Sequence, residues 1–126
     1  MKAMCRALDA EYSRIHDIDK RLETKRRLSE AYSCLSMKKE RVEELEGILS
    51  EEIRQLQDER EELVLKIMAD IDLLAVPDHV DILQMRYVEG LAWSQISKKM
   101  GYTNRHAMRI RDDALEAIAK IKKLSP

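Results

Sequence analysis

Residues 77–115 read PDHVDILQMRYVEGLAWSQISKKMGYTNRHAMRIRDDAL, and this stretch decides the fold. Val80, Leu83, Tyr87 and Val88 recur at helical spacing before Gly90, which predicts a helix buried on that side and opened by Asp78 as its N-cap, with Asp81 in its first turn. A short second helix follows, with Trp93, Ile96 and Met100 facing inward. It stops at Gly101, a residue free to take positive φ. Thr103 then caps a third helix whose inner side is Ala107, Ile110, Ala114, Leu115 and Ile118. Two helices joined by a tight glycine turn, the second rich in arginine, predict a helix-turn-helix with its reading helix.

Before Pro77 the punctuation vanishes. Residues 1–76 hold one glycine, Gly47, and no proline, so long helices are expected there. Leu8, Ile15 and Leu22 lie seven apart, with Met4, Tyr12 and Ile18 on the same face. Val42, Leu49, Leu56 and Leu63 repeat the spacing, flanked by Leu45, Ile53, Ile67, Ile71 and Leu74. A seven-residue apolar repeat on a charged helix is a coiled-coil seam. The phase slips by one residue between Leu22 and Val42, near Ser33 and Ser36, which predicts a helical hairpin; one unbroken helix is the alternative. The fold class expected is therefore all-α, with a coiled-coil region over residues 1–76 and a three-helix unit over residues 77–126.

The composition agrees. With 126 residues, 37% charged, 4% aromatic, no Phe, 3 Gly and 2 Pro, sandwiches, barrels and glycine-rich nucleotide folds are disfavoured. The net charge of −1 hides a split: 14 basic against 18 acidic residues before Pro77, 9 against 6 from Pro77 onward. Lys98, Lys99, Arg105, Arg109 and Arg111 are uninterrupted by any acid, whereas residues 38–62 carry ten acids and five bases, read as a solvated coil face. A basic segment on an acidic rod points to nucleic acid at one end.

Here the residues resemble a known family. The run Ile82–Thr103, followed by an arginine-bearing helix ending Asp113-Ala114-Leu115, resembles the helix-turn-helix of region four of bacterial sigma factors, which reads a promoter element. The chain as a whole resembles ArpU/RinA-type regulators of Gram-positive phage and prophage. Ala92 stands where that family has a capping Thr or Ser, and Ser97 where it has a packed Ala; each costs about 1 kcal/mol unless compensated. No strand-melting sigma region two is visible in the chain, so stand-alone promoter opening is not expected.

The outward face of the third helix, Asn104, Arg105, Met108, Arg109 and Asp112, is where the resemblance places base-reading side chains. Arg105 and Arg109 suit guanine, Asn104 suits adenine, and Met108 is open between a thymine methyl and simple packing. Lys98, Lys99, Thr103 and His106 suit phosphates, with Arg111 at the margin of the face. The partner expected is double-stranded DNA, with the coil serving homodimerisation or contact with RNA polymerase. A polymerase- or sigma-binding adaptor without DNA readout, and a small-terminase-like packaging protein, are the alternatives. Trp93 and Tyr87 are read as core. His16 and His79 are isolated, and Cys5 and Cys34 have no metal spacing, so no metal, cofactor or enzyme chemistry is expected. Reduced thiols and the lack of a leader or apolar span predict a cytoplasmic protein outside the membrane.

Overall fold

The computed structural model describes residues 3–35 and 39–124. Every regular element among them is helical: α1 Ala3–Ser33, α2 Lys39–Ile71, α3 Pro77–Leu83, α4 Trp93–Met100 and α5 Asn104–Leu124. Helix α3 runs on into a π-helical turn, Gln84–Val88. No described helix is long and apolar enough to cross a membrane. The expected break residue Ser36 lies outside the described residues.

The chain forms two compact units, and Pro77 is not their border: one unit is His16–Glu62, the other Met1–Ile15 with Leu63–Pro126. Within His16–Glu62, Ile18 and Leu22 of α1 and Leu49 and Leu56 of α2 are buried. Arg60 donates to Asp19 at 2.6 Å and Lys25 pairs with Glu52, so ascending positions on α1 meet descending positions on α2 and the helices run antiparallel.

The second unit gathers the start of α1, the end of α2 and all of α3 to α5. Ile82, Leu83, Tyr87, Ile96, Ala107, Leu115 and Ile118 are sealed at 0% exposure, joined by Leu8, Tyr12, Ile15 and Ile67. Each large apolar side chain buried this way contributes about 1.5–3 kcal/mol. Met4 does not share the inner face of α1; it is 49% exposed, and Cys5 takes the buried position.

Asp78 is not the N-cap of α3. Pro77 occupies the first helical turn behind an extended Val76, because its fixed φ and missing N–H suit that place. The helix expected to end at Gly90 keeps its α-helical ladder only to Leu83 and continues to Val88 as the π turn. There the ladder widens, and Glu89 N–H donates to Gln84 O at 2.9 Å. Such a widened turn inserts one residue and rotates the chain beyond it. Gly90, at φ 70°, then reverses the path.

A polar network crosses this apolar core. Asp70, 6% exposed, accepts from the Tyr12 hydroxyl at 2.6 Å and from Lys122 Nζ at 2.9 Å. Tyr12 meets Tyr87 edge to face at 5.3 Å, and Tyr87 donates to Asp9, which also lies 3.5 Å from Arg111. No described buried side-chain polar atom is left without a partner.

Burial, and then the bond to Asp70, pushes the Tyr12 phenol far above its ordinary value near 10; burial and the bond to Asp9 do the same for Tyr87. Both native phenols hold their protons above pH 10 where the unfolded chain releases them. The associated stability is complete below about pH 10 and is lost as pH rises further, at up to about 1.4 kcal/mol per pH unit for each tyrosine. Urea unfolding at pH 8, 10 and 11 is expected to show this fall. Tyr12→Phe and Tyr87→Phe, though less stable at neutral pH, should each flatten it by about half.

Candidate nucleic-acid interface

Helix α4 begins at Ala92, which has no side-chain acceptor, yet the end is not bare. The Gln95 side chain reaches back to accept from Ala92 N–H at 3.0 Å, doing half the work of a capping box. Ser97 is also compensated, since its hydroxyl donates to Ser94 O at 3.1 Å. Both departures from the sigma-like pattern thus carry local partners.

Gly101 closes α4 at φ 74°, the left-handed region where a Cβ is disfavoured, although no heavy atom would crowd one. Two residues later Thr103 caps α5, its Oγ1 accepting from His106 N–H at 3.1 Å. The hydroxyl hydrogen remains available for another acceptor. Thr103→Ala is expected to cost about 1 kcal/mol, and Thr103→Ser to restore most of it, in chemical denaturation.

The inner side of α5 is as the spacing requires: Ala107, Ile110, Ala114, Leu115 and Ile118 are all buried. Asn104, Arg105, Met108 and Arg109 are exposed on its outer face, and Lys98, Lys99, Thr103 and His106 are exposed around the turn that precedes it. None of Lys98, Lys99, Arg105 and Arg109 makes an ion pair with a described residue. Four cations without carboxylate partners, on one turn of α4 and two turns of α5, make a site that an external polyanion can neutralise. Lys99 borders a small cavity of about 270 Å³ that also holds Asp81 and Glu89, which sets its surroundings apart from those of Lys98.

Arg111, at the margin of the outer face, turns inward and pairs with Asp112. Arg111 is only 15% exposed in its side chain, bonded to Asp112 at 2.7 Å and close to Asp9, and its guanidinium lies over Trp93 at 5.2 Å. Asp112, 42% exposed in its side chain, is the acceptor of that bond. Trp93 is half-buried rather than sealed, with Arg86 on it at 4.7 Å as well as Arg111. These contacts tie the first residue of α4 to the π turn and to α5.

Sequence reasoning passed over Tyr102. Its hydroxyl donates to Asp78 Oδ2 at 2.8 Å, and its ring stands edge-on to His106 at 4.7 Å. That bond raises the Tyr102 phenol above its ordinary value. A tyrosine directly after the turn glycine was the available signal, but its partner lies 24 residues away, beyond any local pattern.

No group of three or more His, Cys, Asp or Glu among the described residues could hold a metal ion. Cys5 is buried and Cys34 exposed, and neither is in a disulfide. Set against known protein families, curated proteins and solved structures, the chain finds no match.

Proposed function

We propose that the chain is a sequence-specific DNA-binding transcription regulator of the phage or prophage type, reading double-stranded DNA with α5. The observation that carries this reading is the set of unpaired cations, Lys98, Lys99, Arg105 and Arg109, displayed around a glycine turn on a helix whose other side is sealed into a core. Arg105, Arg109 and Asn104 read bases as bidentate partners, and Met108 lies against an apolar base edge. Lys98, Lys99, Thr103 and His106 hold phosphates and set the register. In this reading α1 and α2 form a coiled-coil hairpin that carries the reader, assists self-association and offers a surface to RNA polymerase. The resemblance to region four of sigma factors supports the same assignment.

Selection of bound fragments from a random double-stranded DNA pool, run at two salt concentrations with the intact protein, tests it. A motif is expected to be enriched. Affinity should fall with salt at a log–log slope of about −2 per chain if Lys98 and Lys99 are the charged phosphate contacts. Failure to enrich any sequence at either salt would refute base reading and leave a protein-binding role.

A further inference from the structure

Helix α2 has two faces, and only one is used. Its inner stripe, Leu49, Leu56, Leu63 and Ile67, is buried. On the opposite side the exposed residues from Glu51 to Glu62 are polar or charged, and past Glu62 they change character. Leu65 is 64% exposed, Met68 52%, Leu73 47% and Val76 46%, with Ala69 exposed among them. The helical path outlasts Ile71 by about a turn, since Asp72 N–H donates to Met68 O at 3.0 Å and Leu73 N–H to Asp70 O at 3.1 Å. Leu65, Ala69 and Leu73 therefore form one row at four-residue spacing, all within the unit that contains α5.

The row is self-complementary. In an antiparallel pair centred on Ala69, each residue a given number of places before 69 meets the one the same number after it in the second chain. Leu65 then meets Leu73, and Lys66 meets Asp72, an apolar pair and an opposite-charge pair generated twice by the symmetry. Ala69 meets itself, and its small side chain lets the two helices approach closely. Lys66 also bonds Glu11 of its own chain, but at 52% side-chain exposure it has room for a second acceptor.

We infer that this outer face of α2, centred on Ala69, is the docking surface for a second copy of the chain. The apolar row is short, so the free dimer is weak and two DNA half-sites strengthen it. The inference rests on the proposed DNA reading for its purpose, but not for its test.

Sedimentation of the full chain from about 1 to 500 µM is expected to show a monomer–dimer equilibrium in the micromolar range. Leu65→Lys should shift it at least tenfold toward monomer with unchanged helical circular dichroism. In a Cys34→Ser background, Ala69→Cys should form a disulfide-linked dimer at least tenfold faster than Asp58→Cys, a control on the same outer face about three turns away. A monomer throughout the range, a dimer indifferent to Leu65→Lys, or equal cross-linking at both positions would overturn the inference. Those results leave the DNA selection experiment untouched, and a dimer that selects no DNA would overturn the DNA reading alone.

Discussion

Replacing Arg105 and Arg109 together with alanine is expected to remove sequence-selective DNA binding and to leave the fold intact. Each guanidinium, if bidentate to a base, contributes about 1–3 kcal/mol of discrimination, so the pair together accounts for a loss of between about 30-fold and 10⁴-fold against the selected motif. Neither side chain pairs with a described residue, so the melting temperature should stay within about four degrees of wild type. Arg111→Ala is the contrasting variant. It strips a cation from Trp93, Asp9 and Asp112, and should lower stability while retaining the preferred motif at temperatures where the protein is folded. Fluorescence anisotropy on the selected motif and on a scrambled duplex, beside thermal melts, separates the two. Wild-type affinity in the double variant would rule out α5 as the reader.

The second large effect concerns Asp70. Leu49, Leu56 and Leu63 lie seven apart on the inner stripe of α2, and the next member of the row is Asp70, a carboxylate in a leucine position. Asp70→Leu completes the apolar row but strands the buried Tyr12 hydroxyl, which donates to this carboxylate. An unsatisfied buried donor costs about 1–3 kcal/mol, so the single variant should be less stable despite its added apolar surface. Lys122, part exposed, can turn to water. Adding Tyr12→Phe removes the stranded donor, and most of the lost stability is expected to return, because replacing both partners by apolar groups is nearly neutral. A double-mutant cycle in urea measures the coupling; equal destabilisation by Asp70→Leu with and without the tyrosine hydroxyl would show that the bond carries none of it.

The parts of this architecture legible in the sequence are those that repeat at short range. The rows Leu8–Ile15–Leu22 and Leu49–Leu56–Leu63 are buried, and so is the inner side of α5 from Ala107 to Ile118, because periodicity records which side of a helix faces away from water. The Thr103 cap and the Gly101 turn were equally readable, since each depends on one residue's own geometry. What escaped depends on distant partners. Asp9, Tyr12, Asp70, Tyr87, Arg111 and Lys122 join across as many as 102 residues, from Asp9 to Arg111, and nothing near Arg111 in the sequence marks it as structural beside the free Arg109. The π turn escaped for another reason: Gln84–Val88 keeps an ordinary helical composition, and only the shifted bond to Glu89 reveals the added residue. For the candidate site, which residues are exposed followed from the period, whereas the tether from Tyr102 to Asp78 did not.

Trp93 is the chain's sole tryptophan, and the guanidiniums of Arg86 and Arg111 both lie over its ring. The molecule therefore carries its own optical gauge. Indole emission comes from one place, the joint between α4, the π turn and α5, and its colour and intensity register whether that joint is closed. Without any label, the same spectrum can follow the seating of α5 through a titration with salt, denaturant or duplex.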